Sequence, residues 1–259
     1  MGQTGKCHLC GKQCELTFEH VPPKKAYNNK KVHLINRDIF INHIISGNKP
    51  WDLSGLRYKV SQRGLGGYTL CSQCNNNTGD WYANDYVNFV NAIWDVLAKS
   101  NDIEKVKEVK LKVMYPLRII KQILCMFAST MHPEFLDAHT DLRKYIIKKK
   151  DRNFDIKKYR ISMYILKEPN NGWSSLEAML CSNGKIKIVA YMDIYPVGYI
   201  LEIDPSDDEF NYVTNINNMA TDFEYDFKGT LSVTLNILER NTFMCGDFRT
   251  KSEMKKHIK

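Results

Sequence analysis

The sequence predicts an α+β fold in three parts: a small head held together through cysteines, a helical middle, and a mostly antiparallel sheet. Three observations predict it. Two C-x-x-C pairs, Cys7/Cys10 and Cys71/Cys74, bracket a polar, turn-rich stretch of about the first 80 residues. From Gly79 apolar residues recur at helical spacing. From about residue 158 the period falls to two, the signature of strands. The division that follows is a head domain over residues 1–100 and an α+β accessory domain over 101–259.

The totals narrow the class. A chain of 259 residues with 43% hydrophobic and 25% charged residues has the makeup of a globular protein with a core of its own. It contains no apolar run near the roughly 18 residues a membrane span needs. The start, MGQTGKCHLCGK, has no apolar signal-peptide region, and Lys6 stands where a myristoylation signal needs Ser or Thr, so a cytoplasmic protein is expected. With no sign of export, the eight cysteines are not expected to form disulfides. Cys125 and Cys181 lie in apolar surroundings and read as buried thiols; Cys245 stands apart, and Cys14 lies near the first pair, but a tetrahedral site has no need of a fifth thiolate. The net charge of +8 is uneven: residues 1–80 hold 11 Lys/Arg against 5 Asp/Glu, residues 105–167 hold 16 against 6, and residues 200–230 hold eight acids and only Lys228.

In chain order, ELTFEHVPP reads as a short strand ended by Pro22 and Pro23. DWYANDYVNFVNAIWDVLAKS puts Tyr82, Tyr86, Val90, Ile93, Trp94 and Leu97 on one helical face, with Asp80 as the start. VKLKVMY alternates like a strand, and PLRIIKQILCMFAS reads as a helix opened by Pro116. HPEFLDAHTDLRKYIIKK is a further helix with Pro133 near its start. KYRISMYIL, SLEAMLC, KIKIVAYMDI, VGYILEI and TLSVTLNIL read as strands, with Asn183-Gly184 as a hairpin turn.

Four thiolates in two matched pairs are the makeup of a closed, tetrahedral structural zinc site. The 60 residues between Cys10 and Cys71 mean that the ion pins two distant segments together. A polar head of this kind draws folding energy from such an ion. A cysteine-only site has no need of Glu19, His20 or Asn75. A hydrogen-bonded Glu-His turn is the plain reading of the first two. The chemical reading is that Glu19 holds a divalent cation while His20 takes a proton from water, with the Asn75 amide oxygen, fixed by its neighbour Cys74, as a second hard ligand for Mg²⁺ or Mn²⁺. The other histidines read as structural or surface residues: His8 in the cysteine knuckle, His33 and His43 in the loop, and His132, His139 and His257 in helical or tail contexts.

C-x-x-C, then acid-His-x-x-Pro, then L-C-x-x-C-N resembles the zinc-containing HNH endonucleases, the ββα-metal nucleases, and is similar to phage recombination endonucleases over about the first 85 residues. The resemblance implies zinc on Cys7, Cys10, Cys71 and Cys74, a catalytic cation on Glu19 and Asn75, and His20 as general base on the first strand of a zinc-stapled ββα-metal head. Two departures stand out. The family's middle Asn position is Gly66 here, with Asn28 and Asn29 as alternatives for its role, and the segment from 21 to 70 is long. Its Lys24, Lys25, Lys30, Lys31, Arg57 and Arg63 are candidates for contacts to a phosphate backbone.

The expected function is a metal-dependent endonuclease acting on nucleic acid, DNA more than RNA, with the accessory domain binding substrate or a protein partner and no membrane partner. By analogy with other two-part chains, a bacterial anti-phage role fits. The alternative is a zinc-stabilised nucleic-acid-binding or protein-interaction subunit without catalysis, the acidic 200–230 segment then docking a basic partner.

Overall fold

The computed structural model describes residues 3–100, 108–169, 171–180, 184–207, 210, 212–242 and 246–256. It has an α+β architecture, as the periodicity predicts. Strands β1 (Gln3–Lys6) and β2 (Gln13–His20) form a hairpin around the first cysteine pair, and β5 (Gly66–Cys71) lies antiparallel on the other side of β2. Glu19 and His20 thus sit on the second strand of the chain rather than the first. Between β2 and β5 the chain leaves the sheet as an arm: β3 (Val32–Leu34), α1 (Arg37–Ile45) and β4 (Lys59–Ser61), with β3 and β4 paired only to each other. Asn36 caps α1 by accepting the Asp38 N–H at 2.7 Å. Phe40 is its one buried residue, so the apolar period there is weak and the element is not legible in the sequence.

Helix α2 (Ser72–Thr78) continues through a π turn at Gly79–Ala83 into α3 (Asn84–Lys99). The helical run therefore starts at Ser72, not at Asp80, because the Cys71 sulfur takes the N-cap position and accepts the Cys74 N–H at 3.4 Å. The buried face of α3 carries Tyr86, Val90, Ile93 and Leu97 as expected, while Trp94 is half-buried between Tyr27 and Tyr195.

After β6 (Glu108–Met114), α4 (Pro116–Thr130) runs through the centre of the molecule. Its N1 proline opens it, and all but Arg118 and Thr130 are buried. The helix expected over 132–149 is divided into α5 (Phe135–Ala138) and α6 (Thr140–Ile147), where the His139 ring turns aside to meet the Tyr159 hydroxyl at 3.0 Å. Lys121 of α4 is fully buried. Its Nζ donates to the carbonyls of Tyr145 and Lys148 at 2.6 and 2.7 Å, closing the open C-terminal end of α6. Burial pushes its ammonium down to about 7.

The second half is a sheet of order β12-β7-β11-β10-β8, made of β7 (Tyr159–Leu166), β8 (Gly172–Trp173), β10 (Ile186–Ile194), β11 (Val197–Ile203) and β12 (Thr214–Asn215). β9 (Glu177–Leu180) also pairs with β10, and Gly184, just before β10, has φ +80°. The short helix α7 (Asn218–Thr221) follows β12. The strand expected over 230–238 is two strands. β13 (Gly229–Thr234) pairs with β6, and β14 (Ile237–Leu238) runs parallel to β7, the one parallel pair in an otherwise antiparallel set among the described residues. Helix α8 (Lys251–Lys255) has a capping box from Thr250 and Glu253. The expectations for Cys181, Asn183, Cys245 and His257 fall outside the described residues.

A continuous apolar cluster runs from Cys7 and Leu9 of the head through α3 and α4 to Tyr199, Leu201 and Leu235. The opposite face of the sheet has its own small cluster of Tyr164, Leu166, Val189, Tyr191 and Ile200. Both faces of β7, β10 and β11 are thus covered. Among the described residues no helix is long and apolar enough to cross a membrane.

Candidate metal centre and cationic cleft

The Sγ atoms of Cys7, Cys10, Cys71 and Cys74 all lie within 4.8 Å of one another, the one such group among the described residues. The first pair sits in a turn closed by the Cys7 N–H on Lys12 O at 2.9 Å and the Gly11 N–H on Cys7 O at 2.8 Å, with Gly11 at φ +76°. The second pair sits at the β5–α2 junction, where Cys7 Sγ accepts the Cys71 N–H at 3.3 Å. Cys10 and Cys71 are 4.0 Å apart; thiolates around a tetrahedral zinc are about 3.8 Å apart, given Zn–S bonds of about 2.3 Å. The hydrogen bond from Cys74 drives the Cys7 thiol to a low pKa, and the same interaction drives Cys74 well above its usual range. Sulfurs this close cannot all be thiolates unless a cation lies among them, so the donor set fits a metal ion. Cys14 stays outside, its sulfur on the Lys12 carbonyl at 3.4 Å. His8 is half-buried rather than on the surface, with Nδ1 3.2 Å from Ala128 O, tying the knuckle to α4.

A β-bulge between Thr17 and Phe18 resets the side-chain alternation at the end of β2. Glu19 turns inward, 9% exposed, beside Cys125 of α4. Burial alone pushes its carboxyl up to about 7, and no described residue gives it a hydrogen bond or ion pair. Asn75 faces the same stretch of strand from α2. Its Nδ2 donates to Thr17 Oγ1 at 3.0 Å and Phe18 O at 3.4 Å, leaving Oδ1 without a donor among the described residues. The Thr17 hydroxyl donates onward to Leu70 O at 2.9 Å, so the amide is oriented by the β2–β5 ladder itself. A carboxylate and an amide oxygen, both without partners, are the hard donors a divalent cation takes.

His20 faces the other way. Its ring meets the Phe18 edge at 5.0 Å and lines an open cleft of about 370 Å³ with Lys24, Asn29, Gln62 and Arg63. Burial, then the charges of Lys24 and Arg63, lower its pKa against a hydrogen bond to the Arg63 backbone, which favours the neutral, proton-accepting imidazole. Of the six basic residues expected at the substrate, Lys24 and Arg63 lie in this cleft. Arg57 lines a separate hollow on the arm, and Lys25, Lys30 and Lys31 are exposed beyond the cleft. Asn29, an alternative for the middle Asn, is in the cleft, whereas Phe18, Gln62 and Tyr68 carry no signal in the sequence. Folding brings Gln62 to His20, and Tyr68 packs on Phe18 with centroids 5.6 Å apart and accepts a hydrogen bond from Arg63 Nη1 at 3.3 Å.

The glycine at the middle position has a structural cause. Gly66 has φ +150°, and an added Cβ would collide with the Glu19 carbonyl across the ladder. No side chain fits there. The bracing comes instead from Asn28, buried, whose Nδ2 donates to Pro22 O and Leu65 O at 2.7 Å each while Oδ1 accepts the Leu65 N–H at 2.6 Å. One amide thus ties the chain leaving His20 to the chain entering β5. Asn29 is the exposed neighbour in the cleft.

Comparison with protein-family models, curated proteins and solved structures returned no match. The functional reading rests on the site itself. Residues 21–70 carry nine Lys/Arg against Asp38 and Asp52, nearly the whole net charge of the chain. Of those nine only Arg37 makes an ion pair among the described residues, with Glu177 of β9. The basic stretch around residue 150 is paired in part: Lys150 and Arg118 pair with Asp226, and Arg152 with Glu224, while Lys148 and Lys149 make no ion pair among the described residues.

Proposed function

We propose that the chain is a metal-dependent endonuclease that hydrolyses phosphodiester bonds of nucleic acid, DNA favoured over RNA, with zinc in the four-cysteine cluster as a structural ion. The observation that carries the reading is the state of three side chains at or against the end of β2. Asn75 is anchored on Thr17 and Phe18, Glu19 is buried without a partner next to them, and His20 opens into a cationic cleft. Glu19 and Asn75 would hold Mg²⁺ or Mn²⁺, which when bound supplies positive charge to the phosphate and the leaving 3′ oxygen. His20 takes a proton from water, and the water oxygen attacks phosphorus in line as the bond to the 3′ oxygen breaks. Lys24 and Arg63 bind backbone phosphates beside it.

The rival reading, in which the acidic 200–230 segment docks a basic partner, is weakened because Glu224, Asp226 and Glu202 are paired within the chain. The test is incubation of the purified protein with plasmid, linear DNA and RNA, with Mg²⁺ or Mn²⁺ and then with EDTA. Cleavage that needs the cation and stops with EDTA is expected. Asn75→Ala should cut more slowly, with partial recovery at higher Mn²⁺, since losing a ligand weakens metal binding before it removes the base. No cleavage of any substrate under any metal overturns the reading.

The cationic cleft carries its own expectation. Lys24→Ala and Arg63→Ala should each weaken binding across all sequences and flatten the slope of log affinity against log salt by about 0.7–0.9. An unchanged slope assigns these side chains to a merely solvated face.

A further inference from the structure

The arm between β2 and β5 presents aromatic and apolar side chains to solvent among cations. The His33 and Tyr58 rings stack with centroids 4.3 Å apart and planes 14° from parallel, and Tyr58 is 54% exposed. Arg57 and Lys59 flank Tyr58 in sequence, and neither makes an ion pair among the described residues. Tyr58 stands between two hollows. One, of about 720 Å³, is walled by Leu34, Ile35 and Ile39 together with Arg57 and Lys59; the other, of about 450 Å³, by Val32, Leu53 and Leu56. On one side the arm faces the second sheet, where His33 and Ile35 line a cavity with Asn171, Gly172 and Trp173 and Arg37 pairs with Glu177, but the Tyr58 ring keeps more than half of its surface open to solvent.

We propose that this arm is a stacking platform for unpaired nucleotides, so that the substrate is nucleic acid with a single-stranded segment rather than uninterrupted duplex. Charge alone would suit any phosphate backbone. The rings decide between them. An exposed aromatic face gains by stacking on a base, and base faces are open only where the strand is unpaired or splayed. Arg57 and Lys59 stand where the phosphates beside a stacked base would lie, and the apolar walls of the hollows take its ring edges. This deepens the nuclease reading by naming its substrate class, and it rests on that reading only for the claim that the bound strand is then cut.

Binding is therefore measured without cleavage, in EDTA, by fluorescence anisotropy of a labelled single-stranded oligonucleotide, the same sequence as blunt duplex, and that duplex with a single-stranded overhang. The single strand and the overhang are expected to bind more tightly than the blunt duplex. Tyr58→Ala should lower single-strand affinity about tenfold, the scale of one lost base stack, and leave blunt-duplex affinity in place. Tyr58→Phe, which keeps the ring, should bind like the parent chain, and unchanged circular dichroism with unchanged metal content shows that both variants are folded. Tighter binding of the blunt duplex overturns the proposal, as does Tyr58→Ala binding single strand like the parent. So does a Tyr58→Ala effect confined to self-association in sedimentation, which would make the arm an interface between copies. None of these outcomes depends on His20, so the platform and the nuclease reading fail separately.

Discussion

His20→Ala is expected to retain metal in the cysteine cluster, fold and nucleic-acid affinity while cleavage falls by about 10² or more, the scale of losing a general base. The separation follows from where the side chains point. Glu19 is buried and Asn75 is held by Thr17 and Phe18, whereas the His20 ring lies in the open cleft against Phe18, so removing the imidazole takes away neither proposed metal donor. It also leaves Lys24 and Arg63, the groups expected to grip phosphate. Single-turnover cleavage beside anisotropy in EDTA reads the two effects apart. A variant that cuts as fast as the parent moves any nuclease activity elsewhere and leaves the head as a cysteine-pinned scaffold.

Cys71→Ser is expected to have the largest effect on stability. Cys71 ends β5, caps α2 and supplies one of the four sulfurs, so its loss disturbs a metal ligand and a helix start together. A structural zinc contributes on the order of 10 kcal/mol to folding. Whole domains are stable by about 5–15 kcal/mol, so the head should not survive the loss. Cys14→Ser, in the same three-stranded sheet but outside the cluster, should melt within a few degrees of the parent. Elemental analysis and thermal unfolding of the three proteins check this. Native protein without zinc ends the assignment, and equal melting of both variants removes Cys71 from the ligand set.

The cysteine pairs were legible because each pair is a local turn whose spacing alone brings two sulfurs to one ion. Helix α4 was legible for a similar reason: its proline start and apolar spacing lie within one segment. The strands β7, β10 and β11 likewise show in period and turn residues. The start of α2 was not legible, because the cap at Cys71 is a thiol whose position depends on a cluster closed by Cys7, 64 residues away. The long helix expected after Met131 is interrupted at His139, whose ring bonds the Tyr159 hydroxyl of β7, a partner 20 residues on that the periodicity of the segment does not show.

By itself the sequence determined the α+β class, the four cysteines whose sulfurs cluster closely enough to hold a metal ion, and the adjacency of Glu19 to His20 and of Asn75 to Cys74. Each is a matter of periodicity or of spacing along the chain. Tertiary structure decided the rest. It buried Glu19 and left His20 half-buried at the cleft on the other side of the strand, barred any side chain at Gly66, and gave the bracing to Asn28. It sank Lys121 under the end of α6, paired Lys150 and Arg152 with Asp226 and Glu224, and brought Lys24 and Arg63, out of the nine cations of residues 21–70, to His20. The physical reason is common to all of these. Whether a polar group is buried, paired or open depends on which distant segment packs against it, and that packing is settled by the core formed around α4.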